Sequence, residues 1–132
     1  MIVSFHVATG ACFGAALRSR SAALLLGPLL HVAGDRIPHE DIDSRRFEIG
    51  SGVLLVALLA ARRGLRDPAT LGALATTAPD GEHVLPTPRV GGRKLFPSHR
   101  FERWHRVGGV SAPAQLLAAG VLLGCLLAPR RR

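Results

Sequence analysis

The chain has 132 residues, enough for one domain, with 48% hydrophobic residues, a mean hydropathy of +0.26 and no tyrosine. Seventeen Lys and Arg against nine Asp and Glu give a formal net charge of +8, yet the basic residues gather where apolar runs end and are not interleaved with aromatics along a face. That pattern argues against a nucleic-acid reader, and two distant cysteines, Cys12 and Cys125, exclude a disulfide framework or a cysteine zinc site.

In chain order, Ile2 to Leu17 forms an apolar run dense in Gly and Ala, interrupted by His6 and closed by Arg18-Ser19-Arg20. No basic residue precedes it, which is the wrong polarity for a cleaved leader, so it is expected to remain as a first helix. Ala22 to Gly34 gives a second helix, with Pro28 expected to kink it. Phe47 to Ala61 gives a third, ended by Arg62-Arg63-Gly64 as a helix C-terminus prefers.

Asp67-Pro68 is an N-cap followed by proline at the first helical position, and opens a short fourth helix to Ala78. Pro79 to Phe96, rich in proline and glycine, reads as a loop, and Ser98 to Arg106 as a short amphipathic helix. Ser111 to Ala128 is a fifth, strongly apolar helix.

These elements predict an all-α fold. It is a compact bundle of about five short, mostly transmembrane helices in one domain over 1–132, with the loop 79–110 carrying part of a metal site at one end. If each run crosses a membrane once, every histidine falls on one side and the short arginine clusters on the other. The positive-inside rule then makes the arginine side cytoplasmic and the histidine side extracytoplasmic. A helical module outside the membrane, binding an acidic partner, is the rival reading.

Three clusters carry chemistry. The first is His31-x-x-x-Asp35, one helical turn apart on one face, with His39 beyond Pro38. The second is Pro79-Asp80-Gly81-Glu82-His83, and the third runs from His99 through Glu102 to His105. Neutral imidazole and carboxylate are the ligands of zinc and of harder divalent ions, and such a centre lowers the pKa of water to give a nucleophile. Arg36, Arg100 and Arg103 are at hand to clamp an anion.

Pro79-Asp80-Gly81-Glu82-His83, followed by a basic loop, His99-Arg100 and His105, resembles the boxes of the bacterial membrane-bound metal-dependent hydrolases, a family similar to zinc-dependent phospholipase C and related nucleases. Glu82 stands where that family has a second Asp. The interval from His99 to His105 is one residue longer and lacks its Gly and Thr, and His31-x-x-x-Asp35 comes earlier in the chain.

The resemblance implies a metal-dependent hydrolase acting on a phosphoester or lipid substrate, in the bacterial inner membrane and in contact with the bilayer. His6, His31, Asp35, Asp80, His83, His99 and His105 are its expected metal ligands, for one or more divalent ions, zinc foremost. Glu82 or His39 is the expected general base or orienting partner. A non-catalytic helical membrane protein with a structural metal is the alternative.

Overall fold

A computed structural model describes the chain except for residues 87, 88, 90, 102, 103, 105, 107 and 130–132. Among the described residues it is all-α: α1 (Val3–Leu17), α2 (Arg20–Asp35), α3 (Arg45–Arg63), α4 (Pro68–Thr77), a 3-10 helix (Ala78–His83), the one-turn α5 (Pro97–Arg100) and α6 (Ala112–Leu127). Among the described residues there is no sheet, and an isolated parallel bridge joins His39 and Val110.

Local chemistry sets the boundaries. Arg18 takes a left-handed conformation (φ 54°) and returns its N–H to Gly14, ending α1. The side chains of Ser19 and Ser44 accept the N–H groups of Ala22 and Phe47, capping α2 and α3. Asp67 accepts from Ala69 at 2.8 Å and from Arg63 at 3.1 Å, with Pro68 opening α4 as expected. α2 runs on through Pro28.

α4 lies at the centre, packed against both α1 and α2. Backbones touch along this seam. A Cβ on Gly14 would come to 2.0 Å from the Pro68 carbonyl oxygen, and one on Gly72 to 2.3 Å from that of Gly10. Small residues are therefore required there. Val7, Ala8, Ala11, Leu59, Ala69, Ala73, Ala119 and Leu123 form the buried apolar core around the seam. Leu25 and Leu29 of α2, Val53 and Leu54 of α3, and Leu117 and Val121 of α6 remain exposed.

The expectation of mostly transmembrane helices is overturned: no helix among the described residues is long and apolar enough to cross a membrane. α1, α2 and α6, at 15, 16 and 16 residues, reach about 24 Å at most, against about 30 Å of hydrocarbon. α3 has 19 residues but begins Arg45-Arg46, carries Glu48 and ends Arg62-Arg63. Polar flanks that would have had to lengthen the apolar runs instead cap and stop them. The membrane-embedded hydrolase, the bilayer as partner, the lipid substrate, the inner-membrane location and the extracytoplasmic site are withdrawn with it. What stands is an all-α domain with a His/Asp cluster capable of holding a metal ion.

The short helices still alternate in direction. The start of α1, the end of α2, the start of α3 and the end of α4 lie at one end of the bundle, and Arg18, Arg20, Arg62, Arg63 and Arg66 belong to the other. The 3-10 helix extends α4 at the first end, where the expected loop from Pro79 was drawn. The helix expected from Ser98 to Arg106 is interrupted: after the single turn Pro97–Arg100, Phe101 is extended (φ −112°, ψ 104°), and residues 102, 103 and 105 lie outside the described residues.

Candidate metal centre

Four elements supply the site. His6 lies on the second turn of α1, and His31 and Asp35 on the last turn of α2. Asp80 and Glu82 come from the 3-10 helix that prolongs α4, and His99 from α5. The arrival of α5 depends on Glu82. Its Oε1 accepts the backbone N–H groups of Leu95 at 2.8 Å and Phe96 at 3.1 Å, folding the preceding loop back over the bundle.

His6, His31 and Asp35 are fully buried. The rings of His6 and His31 stack with centroids 4.1 Å apart. Both aim Nε2 at the Asp35 carboxylate, His6 at 3.2 Å from Oδ1 and His31 at 3.0 Å from Oδ2. On its other side, His31 Nδ1 lies 2.9 Å from the Thr76 carbonyl oxygen. That oxygen can only accept, so Nδ1 carries the proton and Nε2 presents a lone pair to a carboxylate. Two electron pairs so placed need a cation between them, a proton or a metal ion.

A second trio shares His31. Asp80 Oδ2 is 3.9 Å from His31 Nδ1, and Asp80 Oδ1 is 3.7 Å from His99 Nε2. In each trio the candidate ligand atoms lie within 4.8 Å of one another. Tetrahedral zinc at 2.0–2.1 Å from nitrogen and oxygen would set its ligands about 3.4 Å apart. In the first trio the two imidazole nitrogens lie 3.2 and 3.0 Å from the carboxylate, close to that spacing, and in the second His99 Nε2 and Asp80 Oδ1, at 3.7 Å, are slightly open. Glu82 Oε2 stands 3.5 Å from His99 Nδ1, on the far side of the ring from Asp80. Among the described residues, His31 Nε2, Asp80 Oδ2, Glu82 Oε2 and His99 Nδ1 are all buried without a hydrogen bond. Natural interiors rarely leave such atoms unsatisfied.

Burial sets the protonation of the centre. It drives the pKa of His6 down to about 3, against the pull of the Asp35 hydrogen bond, and that of His99 down to about 4, aided by His83 and His31. Burial raises the Asp80 carboxyl to about 6, opposed by His31. Neutral imidazoles are the form a metal takes.

The other expected residues fall elsewhere. His83 meets His99 edge-on at 4.4 Å, and its Nδ1 lies 2.9 Å from Lys94 Nζ, so it borders the centre and belongs to neither trio. His39 is buried in the loop after α2. Its Nδ1 donates to the Ile37 carbonyl at 2.6 Å, and its Nε2 faces the Met1 nitrogen and Asp41 Oδ1. The same Met1 nitrogen lies 3.0 Å from Asp35 Oδ1. His105 and Arg103 are outside the described residues. Arg36 stacks over Trp104 at 4.3 Å and Arg100 over Phe101 at 5.7 Å, so neither takes the anion-clamp position.

A cavity of about 990 Å³ opens beside the centre, with Asp35, Asp80 and His99 in its wall. Its cationic lining is Arg45 and Lys94, on either side of His83. Sequence reasoning passed over Arg45, Lys94 and the Thr76 carbonyl. No motif marks a backbone carbonyl, and the two cations sit in stretches read as a helix boundary and a loop. Comparison with known proteins brings nothing further: no family model, no curated protein and no solved structure matches the chain.

Proposed function

We propose that the chain is a metal-dependent hydrolase acting on phosphoesters, with zinc as its ion. The observation that carries this reading is His31, whose Nδ1 is fixed on the Thr76 carbonyl while its Nε2 shares the Asp35 carboxylate with His6 Nε2. The likeness of the Pro79–His83 box and of His99-Arg100 to those of bacterial metal-dependent hydrolases supports the hydrolytic part, and kinship with that family is part of the proposal.

His6, His31 and Asp35 hold the ion, with Asp80 and His99 completing its surroundings on the cavity side. The bound ion supplies Lewis acidity to a phosphoryl oxygen or to water. Asp80, whose carboxyl burial raises to about 6 in the metal-free protein, stands on the cavity side, where it would accept a proton from water. Glu82 positions His99 from behind, as carboxylates do for ligating imidazoles. Arg45 and Lys94 offset the charge of an anionic ester in the cavity.

The test is equilibrium dialysis of purified protein against zinc and against manganese, followed by turnover of phosphomonoesters and phosphodiesters. Stoichiometric metal and turnover, both lost in His31→Ala, are expected. Absence of bound metal overturns the whole reading. Metal without turnover on any ester overturns the hydrolase.

A further inference from the structure

The cavity beside the metal centre has two unlike ends. One end is polar, with Asp80 and His99 of the centre, the carboxylates Asp35, Asp41, Asp43 and Glu48, and the cations Arg45 and Lys94. The other runs along α3 and α4 and is walled by Ile49, Val53, Val56 and Leu74. The first three follow helical spacing on α3 (49, 53, 56), and Leu74 of α4 lines the same cavity. Gly52 lies on the α1 side of α3, where a Cβ would press to 2.6 Å from Val3 Cγ1, so α3 is seated tightly on α1 beside the cavity. At about 990 Å³ the space matches pockets that enclose a whole small molecule, and is far larger than a phosphate group needs.

We infer that the substrate is a free phosphoester of an apolar alcohol or phenol, its phosphoryl group at the metal centre and Arg45/Lys94, and its hydrocarbon group along Ile49, Val53, Val56 and Leu74. This rests on the proposed metal-dependent phosphoesterase and adds the chemistry of the group attached to phosphorus. The metal centre fixes the orientation. At an end that also carries carboxylates, a phosphoryl group is held through the ion with Arg45 and Lys94, and only hydrocarbon gains from the other wall. In the reaction, the bond from water oxygen to phosphorus forms and the ester P–O bond breaks. The apolar alcohol leaves with one proton and the phosphate remains, without need of an oxidant or reductant.

The experiment measures binding of methyl-, butyl-, hexyl- and phenylphosphonate to the zinc-loaded protein by calorimetry. Phosphonates cannot be hydrolysed, so the reading is independent of turnover. Affinity is expected to rise about threefold per methylene from methyl to hexyl, as transfer of hydrocarbon from water predicts. Val53 is exposed, so Val53→Asp tolerates the change and should flatten that rise to less than twofold overall while zinc content stays unchanged; its added charge lowers the affinity for every phosphonate alike. Val53→Leu should keep the rise. Affinity independent of chain length overturns this inference and leaves the metal-dependent hydrolase standing, as does a rise that Val53→Asp leaves intact. No binding of any phosphonate by protein that holds zinc overturns the inference. Loss of zinc binding itself would count against the earlier proposal.

Discussion

Two regions of this bundle are built on opposite principles. Along the α1–α4 seam, Gly10, Gly14, Gly72, Ala8, Ala69 and Ala73 bring backbones into contact, with the Thr76 hydroxyl as a buried polar group beside Gly10. At the end of the bundle, His6, His31, Asp35, Asp80 and His99 fill comparable space with groups whose buried nitrogens and oxygens are only partly paired. The seam gains from close packing and loss of apolar surface, and the polar end carries a desolvation cost. The fold is therefore held by the seam, which lets the polar end stay poised for a cation.

The comparison can be broken most forcefully at the seam. Gly72→Ala places a methyl 2.3 Å from the Gly10 carbonyl oxygen, with backbone on both sides and nothing flexible to yield. A loss of about 3 kcal/mol, or failure to fold, is expected by urea denaturation. A loss under 1 kcal/mol would mean that the backbones are not in contact.

The polar end should respond in the other direction. Zinc at about a hundred times its dissociation constant should stabilise the protein by about 2.7 kcal/mol, raising Tm by roughly 10 °C. His31→Ala should abolish that gain. An equal zinc response in both proteins would remove His31 from the centre.

Glu82→Gln sharpens the picture within the polar end. Glutamine keeps an oxygen for the Leu95 and Phe96 N–H groups but loses the charge facing His99. Zinc affinity should fall roughly 10- to 100-fold with little change in Tm of the metal-free protein. A large fall in Tm with unchanged affinity would assign Glu82 to the loop alone.

Acidification of the metal-free protein is a gentler probe. His6 and His99 have folded pKa values depressed to about 3 and about 4, so their contribution is fully present above their usual 6.5 and is lost as pH falls towards those values. Asp80, raised to about 6, works oppositely: its contribution is full below 3.8 and is lost as pH rises through 6. Glu48, which burial also raises, acts as Asp80 does, but the downward shifts of the two histidines are the larger. Stability should fall from pH 6.5 to 4 by at most about 1 kcal/mol per pH unit, after allowance for screening at His99. Asp80→Asn should steepen the fall, and an unchanged slope would show that Asp80 is not titrating there.

The smallest effect returns to the seam's entry. Asp67→Ala removes the cap of α4 and its pairing with Arg63, and should cost about 1 kcal/mol in thermal or urea unfolding. It should leave zinc affinity untouched.

The helices were legible because their signals are local. Runs of apolar residues, Asp67-Pro68, and the Arg62-Arg63-Gly64 ending act within a turn or two of the chain, and the observed α1, α3, α4 and α6 start and stop within about two residues of where those signals stand. His31 and Asp35 could be read as sharing a face because helical geometry alone places residues four apart together. The membrane spans fail on the same local scale: the apolar runs are too short to cross, and the polar residues beside them cap the helices and end them.

By itself, then, the sequence determined that the chain is helical and that imidazoles and carboxylates stand near helix ends. Only the tertiary structure decided which of them meet. The bundle joins His6, His31 and Asp35, adds Asp80 and His99, leaves His83 at the border and turns His39 into the loop. The reason is that convergence depends on how closely α1 and α2 approach α4, a distance set by glycine contacts between elements far apart in the chain. No spacing along the sequence encodes it.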